Sequence, residues 1–129
     1  MTEIKTPYER IGGEQAVRHL CKTFYKIMSE TEKTQHIRDM HPNDISLSEE
    51  KLYLFLTGWL GGPSLYTDKY GHPRLRARHL PFAIGVEERD QWLYCMAHAL
   101  ATLELEPLFA EQLMGSFAQT ADFMRNQPD

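Results

Sequence analysis

The stretch GHPRLRARHLPF, Gly71–Phe82, decides how this chain is read. It places His79 in a run with Arg74, Arg76 and Arg78 and closes the run with Pro81. If residues 74–79 form a short helical piece, Leu75 and His79 lie four apart on one face, and Arg74 and Arg78 share a neighbouring face. The piece then offers an apolar side chain and an imidazole in one direction, with guanidiniums at the border. Neutral imidazole ligates metals. A histidine ending a short helix also suits the helix dipole without any ligand, so this stretch alone leaves both readings open. A flat, apolar, metal-containing ligand with peripheral carboxylates would match the surface. Haem fits that description: imidazole ligates the iron, apolar side chains cover the ring and cations pair with the propionates.

Working outward, the segment from Gly61 to Gly85 runs for about 25 residues with one short helical piece, a length that in compact domains marks function or disorder. Ser64–Gly71 reads as a polar loop carrying two tyrosines. Leu65, Tyr66, Tyr70, Leu75, Phe82 and Ile84 make the segment too apolar for a disordered linker, so it must pack onto something. Upstream, Val17, Leu20, Cys21, Phe24, Ile27 and Met28 recur at helical spacing and predict a helix over Glu14–Glu30, entered through Gly12-Gly13. A shorter piece over Glu32–Asp39 ends at Met40-His41-Pro42. Ser46 or Ser48 can cap a third helix whose apolar face is Leu52, Phe55, Leu56, Trp59 and Leu60, stopped by Gly61-Gly62-Pro63. Downstream, Val86–Leu103 reads as a helix with Leu93, Met96, Ala97 and Leu100 on one face. Pro107 opens a last helix with Leu113, Phe117, Ala121 and Met124 inward. No period-2 strand appears. The chain is expected to be all-α and one domain over residues 1–129.

At 42% hydrophobic and 25% charged residues, its 129 residues have the mix of a globular protein. The net charge of −4 argues against general binding to nucleic acid or anionic membranes. The start, MTEIKTPYERIGG, lacks a signal-peptide pattern, and no apolar run is long enough to span a bilayer. Cys21 and Cys95 form neither CxxC nor CxxCH, which argues against covalently attached haem and for two buried thiols in a reducing cytoplasm. There is no paired-carboxylate arrangement, nucleophile motif or phosphate-binding glycine loop. His19, His36, His72 and His98 read as surface or structural residues.

Six pieces in order then carry a resemblance: YERIGG, Phe24-Tyr25, EEKLYLFL, LGGP, GHPRLRARHLPF and ERDQWLYCM, with a tryptophan thirteen residues after His79. From Tyr8 to about Met124 the sequence resembles a group II truncated haemoglobin. The resemblance implies a trimmed globin fold, a two-on-two helical sandwich with a long loop before a short proximal helix, and non-covalent haem b. It puts His79 at the proximal ligand, Tyr25 at the distal tyrosine and Trp92 at the tryptophan characteristic of the group. His41 falls on a distal polar or aromatic position, where it would add a third, pH-sensitive donor. With a one-residue gap, Ser48 falls at the start of the distal helix, where a small residue leaves a side route open, and Leu52 faces the ligand one turn later. Phe55, Leu56, Leu75, Phe82, Ile84 and Met96 would line the ring, and Arg78, then Arg76, Tyr66 and Tyr70, would meet the propionates.

The implied function is binding of O2, NO, CO or peroxide. Two or three donors, each worth ~1.5–3 kcal/mol against a partly negative ligand, would retain it tightly. Tight retention suits redox work such as nitric oxide oxidation or peroxide turnover, with a reductase as partner. The other readings are an oxygen store or ligand sensor without turnover, and a haem-free helical module binding an anion at its arginines.

Overall fold

The computed structural model describes residues 5–128, so the first four residues of the stretch read for a signal peptide lie outside it. Eight α-helices follow in order: α1 (Pro7–Ile11), α2 (Gly13–Glu30), α3 (Gln35–Asp39), α4 (Ser46–Trp59), α5 (Leu65–Tyr70), α6 (Leu75–His79), α7 (Val86–Ala101) and α8 (Pro107–Phe123), with a 3-10 turn at Glu32–Thr34. No strand occurs among the described residues.

Helix α2 packs on both α4 and α7, and α7 packs on α8. Two helix pairs, α2/α4 and α7/α8, therefore lie one on the other. The α2 stripe read from the sequence fills the contact: Val17, Leu20, Cys21, Phe24 and Met28 are essentially inaccessible, and Tyr25 is 7% exposed. Each such side chain contributes about 1.5–3 kcal/mol by leaving water. Both cysteines are free and buried. Burial pushes the Cys21 thiol up to about 12 and the Cys95 thiol to about 11, so neither is a thiolate at neutral pH.

Helix α1 was not apparent from periodicity, because five residues are too few to show a period. It is set by Thr6, whose hydroxyl accepts the Glu9 N–H while the Glu9 carboxylate accepts the Thr6 N–H, with proline in the first turn. The Tyr8 N–H donates to the Leu60 carbonyl, bringing the Tyr8 ring onto Gly62. A Cβ at Gly62 would stand 2.8 Å from that ring and 2.9 Å from the Thr57 carbonyl. The LGGP stop of α4 and the YERIGG start of the chain are thus one packing unit.

Three expectations need correction. Neither Ser46 nor Ser48 caps α4; the Asp44 carboxylate accepts the Ser46 N–H at 2.9 Å instead. The predicted polar loop Ser64–Gly71 contains α5, which packs on α4 with Tyr66 buried beneath it. In α7 the core-facing residues are Gln91, Cys95, Met96, Ala99 and Leu100, while Ala97 is exposed and Leu93 half-buried.

Helix α4 has two apolar faces, which explains why its spacing was hard to read. Tyr53, Leu54, Leu56 and Thr57 are buried against the core, whereas Leu52, Phe55 and Trp59 are half-buried on another side. That second side leads to the site.

Candidate functional site

Helix α6 has no buried residue. It is entered through Arg74 in the left-handed region, φ 47°, where the backbone N–H donates to His72 Nδ1 at 3.1 Å. Its terminal residue, His79, is half-buried, and its Nδ1 lies 2.5 Å from the Leu75 carbonyl oxygen. A carbonyl only accepts, so Nδ1 carries the proton and the lone pair of the neutral ring is on Nε2. This hydrogen bond is the usual way a protein orients a ligating histidine.

A cavity of about 650 Å³ lies beside α6, lined by Phe55 and Trp59 from α4, by Leu75, Arg76 and Ala77 from α6 with His72, Pro73 and Arg74 before it, and by Phe123 and Met124 at the end of α8. His79 itself is not on this lining; the cavity covers the N-terminal end of α6, one turn from it. Of the residues predicted around the ring, Phe55, Leu75 and Arg76 border this space. Phe123, His72 and Arg74 border it too. Spacing could not single them out, since loop positions and a helix end carry no period.

Three of the five predicted distal residues, Tyr25, His41 and Trp92, are linked by ring contacts that run through Phe24. Phe24 meets Tyr25 edge-on at 4.9 Å and Trp92 at 5.2 Å, and Tyr25 meets the His41 ring at 5.7 Å. The chain of rings continues from Trp92 to Phe117 at 5.9 Å and on to Trp59, stacked at 4.6 Å, which reaches the cavity. Neither the Tyr25 hydroxyl nor the Trp92 indole N–H has a hydrogen-bond partner among the described residues, and neither is sealed from accessible space. Both rings pack on Phe24, and each has a proton available to a ligand that accepts. Burial raises the Tyr25 pKa, helped by the nearby Cys21 and Glu49, so its proton stays on at physiological pH.

His41 departs from the expected third donor. Its Nδ1 donates to the Ile37 carbonyl at 2.7 Å, leaving Nε2 of the neutral ring as an acceptor. Burial lowers its pKa, the Ile37 carbonyl opposes this, and Arg38 and His79 add to the lowering. His41 therefore donates from Nε2 only at acid pH. Its loop is held by Arg38, whose guanidinium donates to Ser29 Oγ and to the Pro42 and Asn43 carbonyls.

The remaining predicted residues are spread more widely. Ser48 and Leu52 are half-buried on α4, and Tyr70 is half-buried beside Tyr66 at 5.1 Å. Leu56, Met96, Tyr66 and Ile84 are buried in the protein, and Phe82 is 44% exposed. Arg78 donates through Nε to the Pro73 carbonyl and lies over the Tyr66 ring, whereas Arg76 donates to the Phe123 and Arg125 carbonyls. Arg74 and Arg76, not Arg78, border the cavity. Among the described residues no group of three or more His, Cys, Asp or Glu could hold a bare metal ion, and no helix is long and apolar enough to cross a membrane. A single oriented imidazole suits a metal that brings its own remaining ligands, as the iron of haem does.

The architecture is that of the two-on-two globin sandwich. The family model described as Bacterial-like globin matches residues 6–126. Group 2 truncated hemoglobin YjbI of Bacillus subtilis is 42% identical over 123 residues, 95% of this chain and 90% of that protein. Among solved structures, the cold-adapted truncated hemoglobin of the Antarctic bacterium Pseudoalteromonas haloplanktis TAC125 superposes with a TM-score of 0.93 at 45% identity, covering 96% of this chain and all of that one. The truncated oxygen-avid haemoglobin of Bacillus subtilis gives a TM-score of 0.86 at 42% identity, over 95% of this chain and 100% of that one. The chain belongs to the bacterial-like globin family, and within it to the group II truncated haemoglobins. Membership carries haem binding and, through it, binding of oxygen and other diatomic ligands.

Proposed function

We propose that this globin holds haem b non-covalently through His79 Nε2 and retains O2 or a related ligand against Tyr25 and Trp92. In this reading His41 serves as the proton acceptor of the same pocket. Haem, when bound, supplies an iron centre for diatomic ligands and one-electron chemistry. The observation that carries the reading is the pairing of orphan donors with an oriented imidazole. Tyr25 and Trp92 have protons to give and no described partner, while His79 has Nδ1 engaged and Nε2 available. Phe55 and Leu75 would supply apolar cover, and Arg74 and Arg76 would meet the propionates. Arg78, bonded through Nε to the Pro73 carbonyl, lies off the cavity.

The donors favour a ligand that gathers negative charge. At ~1.5–3 kcal/mol each, two of them slow escape by roughly 10²-fold or more. The description of the Bacillus subtilis neighbour as oxygen-avid accords with this. His41 turns the reading towards redox work: with Nε2 unprotonated, it would accept a proton from hydrogen peroxide held in the pocket, with Tyr25 and Trp92 as the hydrogen-bond donors. Peroxide or nitric oxide turnover in the cytoplasm, with a reductase restoring the starting state, is the function we assign. A store or sensor would need the donors but not the acceptor. The test is the O2 dissociation rate of Tyr25→Phe, Trp92→Leu and the double variant. The reading requires about ten-fold acceleration or more in each single variant. Unchanged rates in both would remove it.

A further inference from the structure

Helix α6 has no fully buried residue, only Leu75 and His79 half-buried, so polar contacts carry a share of holding His79 in place. The polar contacts converge on the short segment after α8. Asn126 Nδ2 donates to the carbonyls of His79 at 3.3 Å and Phe82 at 2.8 Å. Its Oδ1 accepts the Ile84 N–H at 2.9 Å, and its own N–H donates to the Ile84 carbonyl at 2.8 Å. The orientation of the amide is not arbitrary: a backbone N–H must meet the oxygen and two carbonyls must meet the nitrogen, so the flipped amide would lose all three bonds. Next to it, the Arg76 guanidinium donates to the Phe123 and Arg125 carbonyls at 2.9 and 3.0 Å, tying the start of α6 to the same segment. The Phe82 N–H also donates to the His79 carbonyl, closing the turn that Asn126 clamps.

We infer that Asn126, with Arg76, is a positioning element for His79, a C-terminal clasp that fixes the height and tilt of the proximal helix. The inference rests on the haem reading for its functional consequence, but its structural part stands apart from it. Asn126 does not line the cavity; it acts through the peptide groups of His79 and of the turn that follows it, at Phe82 and Ile84. Apolar packing tolerates sliding, whereas three directed hydrogen bonds fix one backbone position. A ligating histidine needs that precision, because a small tilt changes the bond it makes.

Two variants test this. Asn126→Ala removes the three side-chain bonds to residues 79–84, along with the one its Oδ1 accepts from Gln127 Nε2. Asn126→Asp keeps an acceptor for Ile84 but turns a carboxylate oxygen on two carbonyls, so it is the more disruptive at neutral pH. Amide exchange is measured first on the full chain without added hemin. Residues 79–84 should exchange roughly ten- to thirty-fold faster in both variants, the loss of about two hydrogen bonds, with α2 and α7 unchanged. With hemin, the iron–histidine stretching band of the ferrous protein should shift and hemin transfer to a myoglobin acceptor should quicken, more for Asn126→Asp than for Asn126→Ala. Unchanged exchange at 79–84, or faster exchange spread evenly over α2 and α7 with the band unmoved, overturns the clasp. A wild-type chain that takes up no hemin refutes the haem reading instead, and the exchange data still decide the clasp.

Discussion

His41 shows how one hydrogen bond changes a residue's role. From sequence it is a loop histidine that either donates or accepts; with Nδ1 committed to the Ile37 carbonyl, the neutral ring offers only an acceptor. Its pKa lies below the ordinary 6.5 because burial penalises the charged ring. A histidine held below its ordinary value binds fewer protons folded than unfolded, so stability rises with pH between the two values and is lost as pH falls through about 6.5. The thermal midpoint of the wild-type chain should therefore drop between pH 7.5 and 5.5. His41→Phe should flatten that drop, as thermal melts at the two pH values will tell. In peroxide reaction the same substitution should slow turnover by about 10²-fold or more, while leaving O2 retention by Tyr25 and Trp92 far less affected. Stopped-flow kinetics separates the two effects. The donors proposed here, Tyr25 and Trp92, came from the family resemblance. The His41 tautomer was not legible, because it depends on whether the chain carries the imidazole onto the Ile37 carbonyl four residues back.

At the scale of elements, the long helices and the short pieces at α3 and α6 were readable, and α1 and α5 were not. The α2 stripe repeats often enough to fix a face; α1, α5 and α6 span one turn or so and owe their form to caps and neighbours. Helix α5 exists because Tyr66 finds Phe55 across α4, a ring contact at 6.2 Å that its own sequence does not announce. The two-faced α4 was legible as a helix, but its core side and its site side were merged into one stripe. Glycines give the element-level test. Gly62→Ala drives a Cβ into the Tyr8 ring and the Thr57 carbonyl, and the carbonyl cannot yield. It should cost ~1–3 kcal/mol in denaturant unfolding. Gly115→Ala, in an exposed part of α8 with nothing near the added Cβ, should instead gain ~0.5–1 kcal/mol by helix propensity. The same sign at both sites would contradict the packing described for the α1–α4 corner.

For the whole molecule, the all-helical class and the place of His79 on a short helix after an irregular segment could be argued from the chain before any coordinates. The clasp could not, since Asn126 and His79 lie 47 positions apart and are joined by polar contacts, which leave no periodic trace. Nor could the partition of the arginines, with Arg76 tied to the Phe123 and Arg125 carbonyls and Arg78 to that of Pro73. Two helix pairs carry the buried core, and α6, with no fully buried residue, stands outside it. Loss of His79, the proposed proximal ligand, should therefore cost the ligand site and spare the fold. The direct test is the absorption spectrum of the ferrous protein with and without CO, wild type beside His79→Ala, with far-UV circular dichroism on the same samples. The account predicts a Soret band in the wild type that shifts on CO, lost or displaced in His79→Ala, with helicity unchanged. A wild-type spectrum that stays flat after hemin is added, or a His79→Ala variant whose Soret band and CO shift match the wild type, would contradict it.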